Sequence, residues 1–213
     1  MRAQPITIAG IDRGRSTDWI WIAKYHVPEN NRYNTNQISD NTFREVLYAS
    51  DIVKTDIPQI LEEYRVKFGL IDNEPDIESS ARLCQITCLE MADQKHHQLE
   101  EYKKATVIDG GIEYPCWKIR NNKFLKQVQN LFILEHDDGY PIIKLPDSWE
   151  KWLNNKSERS PIRHLTSPEY NPESNKWDRS DHIDDLYYAC AFCEAAFFIY
   201  IDTKQYNENI FVC

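Results

Sequence analysis

No stretch of this 213-residue chain approaches the roughly 20 consecutive apolar residues that a membrane-spanning helix requires. The most apolar segment, Ala189 to Ile201, is interrupted by Glu194 and reads as a buried helix. No charged-then-apolar leader opens the chain, which runs straight into the strand-like ITIAGI, so a cytoplasmic protein with no membrane partner is expected. The sequence has no GxxxxGK[ST], hence no nucleotide-triphosphate motor of its own, and no HxH or HExxH metal arrangement. No nucleophile motif supports a Ser-His-Asp order, and there is no internal repeat or low-complexity tract. Six scattered cysteines lack the density of a disulfide framework, so free thiols are expected. Cys190 and Cys193 form a CxxC inside an apolar helical run without a second ligand pair, which fits core packing rather than zinc. A net charge of −9 disfavours a protein that coats nucleic acid, but not an enzyme whose acids gather at a metal.

What is present is an α/β pattern in a single domain. ITIAGID and DWIWIAKY read as an antiparallel hairpin, and 28–41 as a solvated loop. A third strand follows near Glu45 to Val53, then a helix capped by Thr55 or Asp56, with Ile57, Ile60, Leu61, Tyr64 and Phe68 at helical spacing. GLIDNEP is a short strand ending at a proline, and Ile77 to Tyr102 reads as one helical segment. ATVIDGG and YPCWKI read as strands, NKFLKQVQN as a short helix, and LFILEHDDGYPIIKL as a hairpin turning at Asp138 and Gly139. The polar stretch from Asn154 to Ser180 reads as a long surface connection, with Ser180 as N-cap of the final helix.

The chemistry-bearing pattern is an acid closing an apolar strand, at Asp12 in AGID and again at Asp72 in GLID. Either alone is an ordinary turn-former. A third acid opens the last helix in SDHIDDLYYA, where periodicity leaves Asp184 and Asp185 equally placed and helix-dipole compensation is the plain alternative. Carboxylates held together repel unless a cation lies between them, and divalent metal is the usual cation.

These three motifs, GID at the first strand, IDNEPD at a later one and HIDDL before the Ala-rich ACAFCEAA, together resemble the nuclease domain of phage large terminases. That family has an RNase H-like fold: a mixed β-sheet flanked by helices, here expected over 1–213 with a small β-hairpin elaboration and without the ATPase motor half. The resemblance implies a centre holding two Mg²⁺ or Mn²⁺ ions, with Asp12, Asp72 and Asp185 as ligands and Asp184 in reserve. Asp18 matches an acid that some members carry, although a structural role in the hairpin is the stronger reading. Glu74 is a candidate to hold a metal-bound water, and His182 either orients the scissile phosphate or is an ordinary helix-start residue. The other histidines, including His96 and His97, read as solvated surface. Arg13 departs from the small residue or proline usual after the first Asp, and Leu186 from an Ala, without removing a ligand.

Double-stranded DNA is the implied substrate, held through its phosphates. Arg13 and Arg15 sit beside Asp12, and Lys118, Arg120, Lys123 and Lys126 interleave with Trp117 and Phe124. A further basic group is Lys151, Lys156, Arg159 and Arg163. The terminase setting further implies the ATPase domain, the small subunit and the portal as partners in cutting concatemeric viral DNA. Two rivals stand beside this reading: another RNase H-like enzyme such as a junction resolvase, transposase core or hybrid nuclease, and a non-catalytic interaction domain that kept the fold.

Overall fold

The computed structural model describes residues 5–14, 17–27, 42–95, 100–133, 135, 139, 141–154, 160–171, 173, 176–178 and 184–210. Side chains alternate across a strand, and the first two strands are apolar on both faces. β1 (Ile6–Arg13) and β2 (Asp18–His26) therefore sit at the centre of the sheet. Ile8, Trp19, Trp21 and Tyr25 enter one core, while Ala9, Ile11, Ile20 and Ile22 enter the other. The two strands pair antiparallel, with Asp12 opposite Trp19 and Arg13 opposite Asp18. β3 (Phe43–Ile52) continues the meander on β2.

A 3-10 turn (Lys54–Asp56) and α1 (Ile57–Glu63) then carry the chain to the far side of β1, where β4 (Phe68–Asp72) pairs parallel to it. α2 (Ile77–Ile86) leads to β5 (Leu89–Lys95), parallel to β4. β6 (Tyr102–Asp109) and β7 (Ile112–Arg120) form a hairpin, and β7 pairs parallel to β5. Its turn needs left-handed backbone, which Gly110 and Gly111 supply at φ 55° and 81°. The remaining elements are α3 (Asn121–Ile133), β8 (Ile143–Lys144), α4 (Glu150–Asn154), α5 (Pro161–Thr166), β9 (Glu169–Asn171), β10 (Lys176–Asp178) and α6 (Asp185–Ile210).

The result is an α/β fold on an eight-stranded mixed sheet ordered β6-β7-β5-β4-β1-β2-β3-β8. α1 and α2 cover one face through Ile57, Leu61, Ala81 and Leu83. α3 and α6 cover the other. α6 is the one helix among the described residues long and apolar enough to cross a membrane, but 78% of its apolar window is buried inside the protein. Glu194 in mid-helix has a partner: Arg44 donates to both of its carboxylate oxygens at 3.2 and 3.0 Å, and Tyr25 Oη donates to Oε1 at 2.7 Å. Cys190 and Cys193 are free thiols in the same core.

Four sequence expectations need correction. Phe68, expected on the helix after Asp56, opens β4 instead, because that helix ends at Glu63 and Phe68 pairs with Ile8 of β1. The helix from Ile77 stops at Ile86, and β5 replaces its second half. Thr87 adopts extended backbone and its hydroxyl turns back to the carbonyl of Leu83 at 2.7 Å, after which Leu89 and Met91 alternate into the core. The segment LFI belongs to the end of α3, so the expected hairpin shrinks to a single Glu135–Pro141 bridge; Asp138 lies outside the described residues. The stretch expected as a surface connection carries α5 and the β9–β10 ladder, anchored by Pro161 and His164, which are buried. The proposed N-cap Ser180 lies outside the described residues.

α6 rests directly on β1 at Gly10, where a Cβ atom would lie 2.0 Å from the carbonyl oxygen of Ala189 and 2.2 Å from the amide nitrogen of Cys193. Gly10→Ala must push helix from sheet. Such overpacking costs about 1–3 kcal/mol, and each kcal/mol lowers Tm by about 2–4 °C in a chain of this size. Thermal denaturation of the variant is expected to show that drop.

Candidate functional site

Four strands, β1, β4, β5 and β7, run parallel, so their carboxyl ends share one edge of the sheet. In open α/β sheets that edge is where ligands bind. Asp12 lies near the end of β1 and Asp72 ends β4; their ladder closes at Ile11 opposite Ile71, which places the two aspartates side by side on strands about 4.8 Å apart. Alternation puts Asp12 on the face of Ile8 and Gly10, and Asp72 on that of Leu70, the face that α6 covers.

The acids of α6 arrive at the same edge. Ala189 lies over Gly10, while Cys193 donates to the carbonyl of Ile8 at 3.4 Å, so the helix descends β1 as the residue numbers of the strand fall. Asp185 is four residues before Ala189, a rise of about 6 Å. Asp12 is two residues beyond Gly10, about 6.6 Å along the strand. Helix start and strand end are therefore level. Asp184 is buried and its carbonyl accepts the amide of Tyr188 at 3.0 Å; Asp185, the first helical residue, is partly buried.

Burial, helped by the negative charges of Glu74 and Asp93 and opposed by the backbone N–H groups of Glu74 and Asn73, pushes the Asp72 carboxyl up to about 7. Glu74 N–H donates to Asp72 Oδ1 at 3.2 Å. An all-oxygen donor set of carboxylates suits a hard divalent cation such as Mg²⁺ or Mn²⁺. Among the described residues, no three His, Cys, Asp or Glu side chains stand close enough to hold a metal ion as they are placed. A bound ion would have to draw the acids of β1, β4 and α6 together.

Asp18 and Arg13 lie on the opposite face. Arg13 Nε donates to Asp18 Oδ1 at 3.1 Å, both side chains are 6% exposed, and Arg13 Nη1 donates to Ser80 Oγ at 2.6 Å. The guanidinium expected to hold DNA is thus turned inward, because the strand-end residue after Asp12 must point away from it. Burial raises the carboxyl of Asp18 and the adjacent Arg13 lowers it. Glu74 follows the end of β4 and is exposed. Arg15, Lys156, Arg159 and His182 lie outside the described residues.

Of the basic groups, Lys118 and Arg120 end β7 at the acidic edge, paired in register with Asp93 and Lys95. Lys103 pairs with Lys118 on β6. Lys123 is bound to Glu101, with its ammonium 5.7 Å from the ring of Phe198, and Lys126 reaches Tyr170 at 5.8 Å. Lys151 and Arg163 are exposed on α4 and α5.

Two residues escaped the sequence reading. Asp93, which is buried, lies one residue past the register partner of Asp72 and adds its charge to the site. The signal was the alternation of LEMAD, hidden by the expectation of one long helix; β5 runs on to Lys95, and Asp93 points to the face opposite Asp72. His164, expected at the surface, is buried with its ring 3.9 Å from that of Trp19, the cross-strand partner of Asp12. Comparison of the chain with protein-family models, curated proteins and solved structures finds no match.

Proposed function

We propose that this chain is a metal-dependent endonuclease with an RNase H-like fold, cutting double-stranded DNA through two Mg²⁺ or Mn²⁺ ions. One observation carries the reading: acids closing two adjacent parallel strands, Asp12 and Asp72, lie at the edge where the acid-bearing start of α6 also lies. The antiparallel β1–β3 meander, continued past β1 by parallel β4 and β5, is compatible with an RNase H-like sheet. Ions held by such carboxylates would supply Lewis-acid stabilisation of a phosphodiester and activation of water. Asp12, Asp72 and Asp185 are the ligands, with Asp184 as alternate.

Lys118 and Arg120, which alternation from Trp117 and Ile119 turns to the face of Arg13, would meet DNA phosphates only beyond the end of β7, where the duplex passes the acidic edge. Phosphate contacts of this kind position a duplex without reading its bases, so cutting with little sequence preference is expected. In a terminase setting the chain would trim concatemeric viral DNA in the host cytoplasm, with position set by an ATPase motor, a small subunit and a portal.

Incubation of supercoiled plasmid, linear duplex, four-way junction and RNA-DNA hybrid with Mg²⁺ or Mn²⁺ tests the reading. Metal-dependent loss of plasmid and linear duplex is expected. Cutting confined to junctions or hybrids transfers the site to another nuclease class, and metal-independent or absent cutting of all four contradicts the proposal.

A further inference from the structure

Asp12 and Asp72 both lie just beyond the last paired residues of the β1–β4 ladder, Ile11 and Ile71, so that ladder alone does not fix their separation. A buried chain of hydrogen bonds on the opposite face spans the gap. Arg13, the residue after Asp12, donates through Nη1 to Ser80 Oγ at 2.6 Å, and Ser80 Oγ donates to the main-chain carbonyl of Asp72 at 2.9 Å. The hydroxyl has one hydrogen, which it donates to the Asp72 carbonyl, leaving its lone pairs to accept from Arg13. Arg13 is in turn oriented by Asp18, through Nε to Oδ1 at 3.1 Å.

We propose that Arg13, Asp18 and Ser80 form a positioning clamp that fixes the spacing of Asp12 and Asp72 from behind the sheet. The clamp rests on the metal-centre reading above, since the spacing matters only if the two carboxylates share ions. All three clamp residues are well placed for it. Ser80 is fully buried, Asp18 is 4% exposed, and the arginine side chain is 6% exposed. Ser80 also stands in the first turns of α2, whose own cap is Asp76, accepting the amide of Ser79 at 3.0 Å, so the clamp ties β1, β2, β4 and α2 into one unit. None of the three touches the metal face; they act through the backbone positions of Asp12 and Asp72. Partners that orient metal ligands in this way are typically worth about 10–100-fold in metal affinity.

The test is Mn²⁺ binding followed by electron paramagnetic resonance, with amide hydrogen exchange at residues 71–73 in EDTA. The proteins compared are wild type, Asp12→Asn, Ser80→Ala and Arg13→Lys. Ser80→Ala is expected to weaken Mn²⁺ by about 10–100-fold, to speed exchange at 71–73, and to lower kcat while leaving KM for DNA unchanged. Arg13→Lys keeps a charge beside Asp18 but lacks the fork that reaches both partners, and shifts the same quantities in the same direction. Wild-type Mn²⁺ affinity in both Ser80→Ala and Arg13→Lys, with binding lost in Asp12→Asn, overturns the clamp and leaves the metal centre standing. Absence of Mn²⁺ binding in the wild type overturns both. If Ser80→Ala does not fold, Arg13→Lys alone decides.

Discussion

Asp12→Asn is expected to lower metal-dependent DNA cleavage by about a thousandfold or more while leaving the fold intact. A metal site contributes several kcal/mol to the transition state of phosphodiester hydrolysis, and each 1.4 kcal/mol is about tenfold in rate. The substitution is nearly isosteric and removes one negative charge from a group that is only 8% exposed. Its strand neighbours, Ile11 and Gly10 behind it and Trp19 across from it, keep their packing. Plasmid nicking rates at saturating Mn²⁺, beside thermal denaturation of the same samples, separate lost chemistry from lost structure. A variant that cuts at the wild-type rate would remove Asp12 from the centre.

Asp72→Asn should do two opposite things. In EDTA at neutral or alkaline pH it is expected to stabilise the protein; with metal it is expected to abolish binding. The folded carboxyl sits at about 7 against an ordinary 3.8, so between those values the native state keeps a proton that the unfolded chain has released. Stability of the wild type therefore falls as pH rises through that window and stays low above it. At about 1.4 kcal/mol per pH unit the whole effect is at most roughly 4 kcal/mol. An asparagine at this position never carries the charge, yet its side-chain oxygen still accepts the Glu74 amide. Unfolding in urea at pH 4, 6 and 8 should show the variant's advantage growing with pH and vanishing at the acid end. The same proton makes metal binding pH-dependent, because the ion must displace it. An equal response of both proteins to pH would mean that Asp72 is not the buried titrating group.

Much of this arrangement was legible in the residues. AGID and GLID announced two apolar strands closed by acids, and period-2 alternation fixed which neighbours share their face. Gly110 and Gly111 marked the β6–β7 turn, and the run after Asp185 marked a buried helix. Other features were hidden by non-local causes. Ile86 to Leu89 reads as continuous helix because nothing local forbids it; β5 wins by pairing with β4 and β7. Arg13 reads as a DNA contact because it neighbours Asp12, whereas alternation sends it to the far face, where Asp18 and Ser80 await it. His164 reads as surface because it follows Arg163 in a short helix, whereas a non-local contact, the ring of Trp19, helps to bury the imidazole.

The proposed centre requires Asp12, Asp72 and the start of α6 to bind divalent ions together. Calorimetric titration of Mn²⁺ into the metal-free protein at pH 7, in two buffers of different ionisation enthalpy, tests this directly. The prediction is saturable binding of two ions with net proton release, lost in both Asp12→Asn and Asp72→Asn. No saturable heat at millimolar Mn²⁺, or binding that survives both substitutions, would contradict it.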